Sequence, residues 1–227
     1  MTFVSYSQNF EDAVLFRALQ NIENGFYIDV GANDPNVESI TKAFYERGWH
    51  GINIEPVNHW FEKLVKERPS DINLQVAAGD NFGKLAFFEI LETGLSTGNA
   101  DFARRHEKAG FVVVERVVPL RTLNDICSQY LAGQEIHFLK IDVEGFEASV
   151  LNGLNFTLVR PWILVIEATE PLSTVETWQE WEPQVLQSNY SFAHFDGLNR
   201  FYFANEYPKL GESLRKPIEG FDCKRAN

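Results

Sequence analysis

Four carboxylates in this sequence stand at the ends of apolar segments, where they could bind a ligand. They are Asp29 in "FYIDV", Glu55 in "NIEP", Asp142 in "FLKID" and Glu167 in "LVIEA". Short apolar runs of this kind predict buried strands. In open α/β sheets, ligands bind outside the carboxyl ends of parallel strands. The sequence therefore predicts a binding site that is lined by acidic side chains.

The segment 25–56, "GFYIDVGANDPNVESITKAFYERGWHGINIEP", predicts a strand, a glycine turn, an amphipathic helix and a second strand. A dinucleotide would require three glycines at the turn, because the backbone must approach a pyrophosphate closely. Only Gly31 is present, and Asp29, Asn33 and Asp34 accompany it without a Lys or Arg in the turn. Such a turn repels a diphosphate. The ligand is therefore predicted to carry positive charge.

Glu55 ends the second strand, roughly twenty-five residues beyond the turn, where an acid in such folds accepts hydrogen bonds from ribose hydroxyls. S-adenosylmethionine (SAM) fits these features, because it has a ribose, an adenine, an ammonium and a sulfonium but no phosphate. The alternative is that Asp29 and Glu55 only cap loops. The residues predicted to contact SAM are Asp29, Gly31, Asn33, Glu55, Pro56, Ala77, Ala78 and Asp142.

Composition restricts the class of protein and of partner. The 227 residues are 44% hydrophobic, which is enough for one sizeable core and a single domain over residues 1–227. The net charge of −12, without a dense Lys/Arg cluster, argues against a nucleic-acid partner. No segment near the start is apolar enough for a signal peptide or a membrane span, so we expect a cytoplasmic protein. Two cysteines without metal-type spacing make a zinc site or a disulfide framework improbable.

The order of predicted elements indicates an α/β fold. Helices are predicted at 9–20, 37–47, 58–67, 122–132 and 175–187, with a further helix after residue 144. Strands are predicted at 26–30, 51–55, 72–78, 136–142 and 162–168. A β-rich excursion at about 84–118 separates the third and fourth strands, and residues 190–206 predict a terminal antiparallel hairpin. A mostly parallel sheet that ends in such a hairpin is typical of class I SAM-dependent methyltransferases, which have a Rossmann-like fold. A nicotinamide oxidoreductase would normally finish with another parallel crossover.

Several motifs together resemble one family. They are "DVGAN" at 29–33, "NIEP" at 53–56, "LQVAAGD" at 74–80, "TLND" at 122–125 and "FLKIDVEGFEASVL" at 138–151. This set resembles the FkbM-type methyltransferases over nearly the whole chain. The opening "SYSQNFEDAVLFRAL" and the late "FDGLNRFYFA" resemble a subgroup associated with sugar and polysaccharide pathways. The resemblance implies a SAM-dependent O-methyltransferase. The acceptor would be a hydroxyl of a sugar, a glycoside or a polysaccharide precursor.

Two other functions remain open at this point. One is methylation of another small-molecule natural product, and the other is a non-catalytic SAM-fold protein that serves as a binding partner. A homo-oligomer is also possible.

The chemistry requires a base, or a metal that lowers the pKa of the acceptor hydroxyl. Asp142 is the first candidate base, because it ends a strand next to the predicted methyl donor. Lys140 lies on the same face of that strand by alternation, and it either pairs with an acid or takes part in catalysis. His194 is a further catalytic candidate, although a lone histidine on a late strand is more often structural.

A metal is the less favoured alternative. Asp142, Glu144 and Glu167 could converge on one sheet edge and bind Mg²⁺ through oxygen ligands, but no dense Asp-rich motif requires it. Acceptor contacts are predicted from the excursion and from the terminal hairpin, each of which also has a purely structural interpretation. The residues in question are Ser96, Thr97, His106, Asp196, Asn199 and Arg200.

Overall fold

The computed structural model describes residues 2–131, 133–218 and 220–226. Its strands are β1 (Phe3–Ser5), β2 (Phe26–Val30), β3 (His50–Ile54), β4 (Ile72–Leu74), β5 (Ala77–Ala78), β6 (Gly83–Ile90), β7 (Val113–Arg121), β8 (Phe138–Ile141), β9 (Ile163–Glu167), β10 (Tyr190–Phe195), β11 (Asn199–Ala204) and β12 (Cys223–Arg225). Its α-helices are α1 (Glu11–Leu19), α2 (Lys42–Tyr45), α3 (Asn58–Glu67), α4 (Ala100–Lys108), α5 (Leu123–Tyr130), α6 (Glu147–Asn152), α7 (Glu182–Gln187) and α8 (Pro208–Leu214). The predicted α/β class is confirmed. None of the described helices is both long and apolar enough to cross a membrane.

A seven-stranded sheet in the order β10-β11-β9-β8-β2-β3-β4 forms the centre of the molecule. Strands β4, β3, β2, β8 and β9 pair in parallel, whereas β11 runs antiparallel to both of its neighbours, β9 and β10. Strands β8 and β9 are buried along their whole length, as expected of central parallel strands, although β8 includes Lys140 and β9 ends in Glu167.

The two faces of this sheet differ at the carboxyl ends of the strands. Ile28, Leu139 and Leu164 belong to the core cluster that includes residues of α5, α6 and α7, whereas Tyr27 and Phe138 belong to the cluster that includes residues of α1 and α8. Because side chains alternate along a strand, the second face continues from the apolar positions into Asp29, Lys140, Asp142 and Glu167. The apolar core on the α1 side therefore gives way to a polar group at the sheet edge.

The excursion between β5 and α5 forms a separate three-stranded sheet in the order β5-β7-β6, with α4 between β6 and β7. Because of this sheet, the predicted strand 72–78 is wrong as a single element. Residues Ile72–Leu74 pair with β3 in the main sheet, whereas Ala77–Ala78 pair with β7. The local sequence shows strand preference throughout, but the change of partner depends on the distant strand β7.

Two predicted helices are also wrong in extent. The helix expected at 37–47 is reduced to Lys42–Tyr45, because the Asp34 side chain accepts hydrogen bonds from the amides of Asn36 and Val37 and fixes a turn there. The helix expected at 175–187 is interrupted. It consists of a 3₁₀ turn at Trp178–Glu180 followed by α7, which has a proline in its first turn. Strands β1 and β12 and helix α8 were not predicted.

Candidate functional site

A cavity of about 770 Å³ opens at the carboxyl ends of β2, β3, β8 and β9. Its walls come from these strand ends, from the start of α1 and from the loops at 37–40, 93–96 and 169–174. The predicted site residues that line it are Asp29, Gly31, Asn33, Glu55, Pro56, Ser96, Lys140, Asp142, Glu144, Glu167 and Asn199. The structure thus brings together residues that are separated by up to 170 positions in the chain (29 to 199).

The turn after β2 requires glycine at position 31. Gly31 has a φ of 75°, and a Cβ added there would lie 1.8 Å from the carbonyl oxygen of Asp142. Its amide donates to the carbonyl of Ile54 at 3.0 Å. The absence of a side chain therefore lets the turn pack directly against the backbone at the end of β8.

Glu55 ties the ends of β2 and β3 together at the cavity wall. One carboxylate oxygen accepts a hydrogen bond from the amide of Asn33 at 2.8 Å, and the other accepts from the amide of Val57 at 2.8 Å. Burial raises the pKa of Glu55 to about 7, in spite of these two bonds. A hydrogen-bond donor supplied by a ligand would stabilise the charged form of this carboxylate, since each oxygen can accept more than one bond.

Lys140 is held as an ammonium by three oxygens. Its Nζ donates to the carbonyl of Gly31 at 2.6 Å and lies 3.2 Å from Asp29 and 3.4 Å from Asp142. Burial by itself lowers the pKa of a lysine, but the carboxylates of Asp29 and Asp142 outweigh that effect, and the pKa of Lys140 is raised. This arrangement favours the ion-pair interpretation of Lys140 over a role as a base.

The loop that follows Asp142 is fixed from two sides. The Glu147 carboxylate accepts from the amides of Val143 and Gly145, both at 3.1 Å, at the start of α6. Thr97 of the excursion donates its hydroxyl hydrogen to the carbonyl oxygen of Glu144 at 2.7 Å. Thr97 does not line the cavity. Thr97 instead supports the loop at 143–145, whose residues Val143 and Glu144 line the cavity.

Three carboxylates meet beside this loop. One oxygen each from Asp142, Glu144 and Glu167 lies within 4.8 Å of the others. Among the described residues, no donor reaches Oε2 of Glu144 or Oε2 of Glu167. Burial, followed by the charge of Asp142, raises the pKa of both glutamates well above the ordinary value. Without a cation, the two glutamates therefore hold protons more readily than exposed glutamates do, because the place is poorly solvated and Asp142 lies beside them.

Glu11, at the start of α1, is a cavity residue that the sequence alone did not single out. It is buried, and its carboxylate accepts from the Asn199 side chain at 3.0 Å and from the Asn9 amide at 2.7 Å. Burial and the charge of Asp196 raise its pKa to about 7. Local periodicity in the segment "SYSQNFEDA" predicts a helix but does not show what the first turn of that helix faces.

A small apolar cavity adjoins the larger one. Ala77 and Ala78 line this second cavity rather than the first, and Gly31 and Pro56 line both. Its other lining side chains are apolar, Phe87 and Phe146 among them. Ala77 and Ala78, two of the predicted SAM contacts, thus lie next to the turn that carries Gly31.

Four other predicted residues do not line the main cavity. Arg200 bonds to Glu182 and to the Tyr202 hydroxyl, and Asp196 accepts from the two amides that close the hairpin turn. His194 lies on the edge strand β10, and its ring packs near that of Phe201 on β11. The buried His106 ring packs edge-on against Phe111. The structure therefore corrects the prediction that these side chains lie at the cleft: each belongs to the hairpin or to the packing of α4.

The main cavity is strongly acidic. Within the described part of the chain, Lys140 is the one Lys or Arg that lines it. The lining carboxylates are Glu11, Asp29, Glu38, Glu55, Asp142, Glu144, Glu167 and Glu170. Such a cavity favours a ligand with cationic groups and disfavours a phosphate-rich one.

Comparison with known proteins identifies the class. A family model described as "Methyltransferase FkbM domain" matches residues 29–196, which is more than half of the chain and includes the strand ends that line the cavity. The protein is therefore a methyltransferase. It belongs to the FkbM methyltransferase family, as its motifs had predicted. A comparison with curated proteins found no match.

Proposed function

We propose that this protein is a SAM-dependent O-methyltransferase whose acceptor is a hydroxyl of a sugar, a glycoside or a polysaccharide precursor. The observation that carries the proposal is the position of Glu55. Its carboxylate stands at the end of β3, next to the Gly31 turn, in a cavity lined by acids. Both the family and the strand order, with β11 as the antiparallel strand between β9 and β10, agree with a class I methyltransferase fold.

The residues present fit SAM. The buried Glu55 carboxylate has acceptor capacity for ribose hydroxyls, and the acid-lined turn at 29–33 suits the ammonium and sulfonium groups. The apolar surface around Ala77 and Ala78 suits an adenine ring, but the side cavity there measures only about 20 Å³ and would have to widen to hold the ring. When bound, SAM supplies an electrophilic methyl group.

Asp142 is the proposed base. Its side chain is one third exposed and lines the cavity, so an acceptor hydroxyl can approach it, whereas Asp29 is buried and already bonded to Thr41 and Lys140. Asp142 would accept the proton of that hydroxyl as the oxygen is alkylated. Lys140 would hold Asp142 in position through their 3.4 Å contact. Lys140 would thus be a positioning residue.

The acceptor side of the cavity is proposed to be the excursion loop at 93–96 together with the loop at 169–174 and Asn199. These parts line the cavity without being strand ends of the parallel sheet. They present hydroxyl and amide groups, for example from Ser96 and Ser173, which suit a polyhydroxylated acceptor. The resemblance of the opening and hairpin motifs to a carbohydrate-associated subgroup supports the same class of acceptor.

The test is transfer of a labelled methyl group from SAM to a panel of sugars, nucleotide-sugars and glycosides, with wild type and Asp142→Asn. We expect kcat to fall about a hundredfold or more in the variant, with SAM affinity by calorimetry little changed. Glu38→Gln, which changes an exposed acid of the same cavity, is the matched control and should retain activity. Full activity of Asp142→Asn would refute the base assignment. SAM binding without transfer to any acceptor would favour a non-catalytic binding protein, and labelling of a non-carbohydrate would favour another natural product.

A further inference from the structure

We propose that Asp142, Glu144 and Glu167 together bind one divalent cation of the Mg²⁺ or Mn²⁺ class. Binding of the cation is independent of SAM. Asp142 would bind the cation through one carboxylate oxygen and keep the other for the acceptor's proton. The suggested role of the cation, to hold an oxygen of the acceptor, rests on the proposed methyltransferase function.

The geometry of the three carboxylates suits a single ion. Strand register sets Ile141 of β8 opposite Ile166 of β9, so that Asp142 and Glu167 leave the sheet side by side. Glu144 returns to them from the loop, and one oxygen from each of the three lies within 4.8 Å of the others. Oxygens bound to one Mg²⁺ at about 2.1 Å are separated by roughly 3 to 4.2 Å. A shift of about 1 Å or less for each oxygen, within the reach of side-chain torsions, would complete the site.

Unpartnered buried oxygens give a second, independent indication of a ligand. Glu167 is only 5% exposed, and its Oε2 has no donor among the described residues. Thr169, two positions further along and outside the acidic group, is 2% exposed, lines the same cavity and likewise has no partner for its hydroxyl among those residues. Buried polar groups without partners are costly, and a bound cation with its water ligands would satisfy them.

Lys140 does not already supply the missing charge. Its ammonium contacts Asp142, but its closer contacts are with Asp29 and the Gly31 carbonyl, and neither Glu144 nor Glu167 forms an ion pair with it. Hard divalent cations prefer carboxylate oxygens, and Mg²⁺ usually keeps several exchangeable positions. Since Asp142 is one third exposed to the cavity, those positions would face the acceptor side.

The binding test uses the whole chain, treated with EDTA and desalted, without SAM or acceptor. Mn²⁺ is titrated and the signal of unbound Mn²⁺ is followed by electron paramagnetic resonance. We expect one site per chain, from which Mg²⁺ displaces Mn²⁺. Glu167→Gln should weaken binding about tenfold or more, because it removes a charged ligand. The control Glu38→Gln has the same change in charge in the same cavity and should leave the affinity unchanged within about twofold.

Two results would overturn the proposal. One is the absence of stoichiometric binding up to about 1 mM Mn²⁺, the weak end of protein sites for hard cations. The other is equal weakening by Glu38→Gln, which would indicate only general attraction to an acidic chain. If circular dichroism shows that Glu167→Gln does not fold, Glu144→Gln, at a half-buried position, replaces it in the test. The same loss of Mn²⁺ affinity is expected for that variant. Calorimetric titration of SAM into the EDTA-treated protein separates the two proposals. If SAM does not bind but Mn²⁺ does, the proposed function is refuted and the cation site is not.

Discussion

Lys140→Met tests the ion-pair assignment, because it keeps an apolar stem as far as Cε and removes the ammonium. In the folded protein the ammonium contacts the Gly31 carbonyl at 2.6 Å, Asp29 at 3.2 Å and Asp142 at 3.4 Å. The substitution leaves all three oxygens without this donor. Since the Asp29 side chain is only 3% exposed, it cannot recover that interaction from water.

The expected loss in the free energy of unfolding follows from these environments. Removal of one partner from a buried ion pair costs about 3 to 5 kcal/mol, and the Lys140–Asp29 pair belongs to that class. The contact with Asp142 adds little, because that carboxylate is one third exposed and screened by solvent. Thr41 still donates to Asp29 at 3.0 Å, which favours the lower end of the range. We therefore expect a loss of about 3 kcal/mol.

Urea unfolding, followed by circular dichroism without ligands, measures this loss. Asp29→Asn and the double variant complete a double-mutant cycle, in which the coupling energy should exceed about 1 kcal/mol. Lys63→Met is the matched control. Its partner Asp34 lies 2.5 Å away, but Lys63 is one third exposed, so the loss should stay below about 1 kcal/mol. A similar loss in both lysine variants, or no coupling between Lys140 and Asp29, would refute the assignment.

Two further predictions concern the turn and the buried carboxylate beside it. Gly31→Ala should destabilise the protein by at least about 2 kcal/mol more than Gly48→Ala. Both glycines have a positive φ, but only at position 31 would the added Cβ clash with a backbone oxygen, that of Asp142. Equal shifts of the two variants in thermal unfolding would contradict this. Because burial raises the pKa of Glu55 to about 7 from 4.5, the folded state holds a proton that the unfolded state releases, and Glu55 contributes less stability as pH rises through that window. Glu55→Gln lacks this dependence, so in urea unfolding the free energy of unfolding of wild type should fall relative to that of the variant from pH 4.5 to 7, and a rise of wild type relative to the variant would refute the direction.

The sequence by itself determined where the acids would be. Apolar runs with strand preference end at Asp29, Glu55 and Asp142, and parallel strands present their carboxyl ends at one sheet edge. The existence of the site and its negative charge therefore follow from local sequence pattern. The family followed from motifs as well, since "DVGAN" and "LKIDVEG" lie within the matched residues. Alternation along β8 also placed Lys140 and Asp142 on one face.

Only the tertiary structure decided which side chains meet. Glu11 reaches the cavity from α1 through its bond to Asn199, a contact between residues 188 positions apart that no local pattern encodes. In the terminal hairpin, by contrast, Arg200 and His194 were predicted as site residues but contact other side chains. Arg200 bonds to Glu182, and the His194 ring packs near Phe201. Local sequence fixes the periodicity of a strand, but the face that packs against a helix depends on all the elements that compete to bury apolar surface. For the same reason, the role of Lys140 became visible only when its distances to Asp29 and to the Gly31 carbonyl were known.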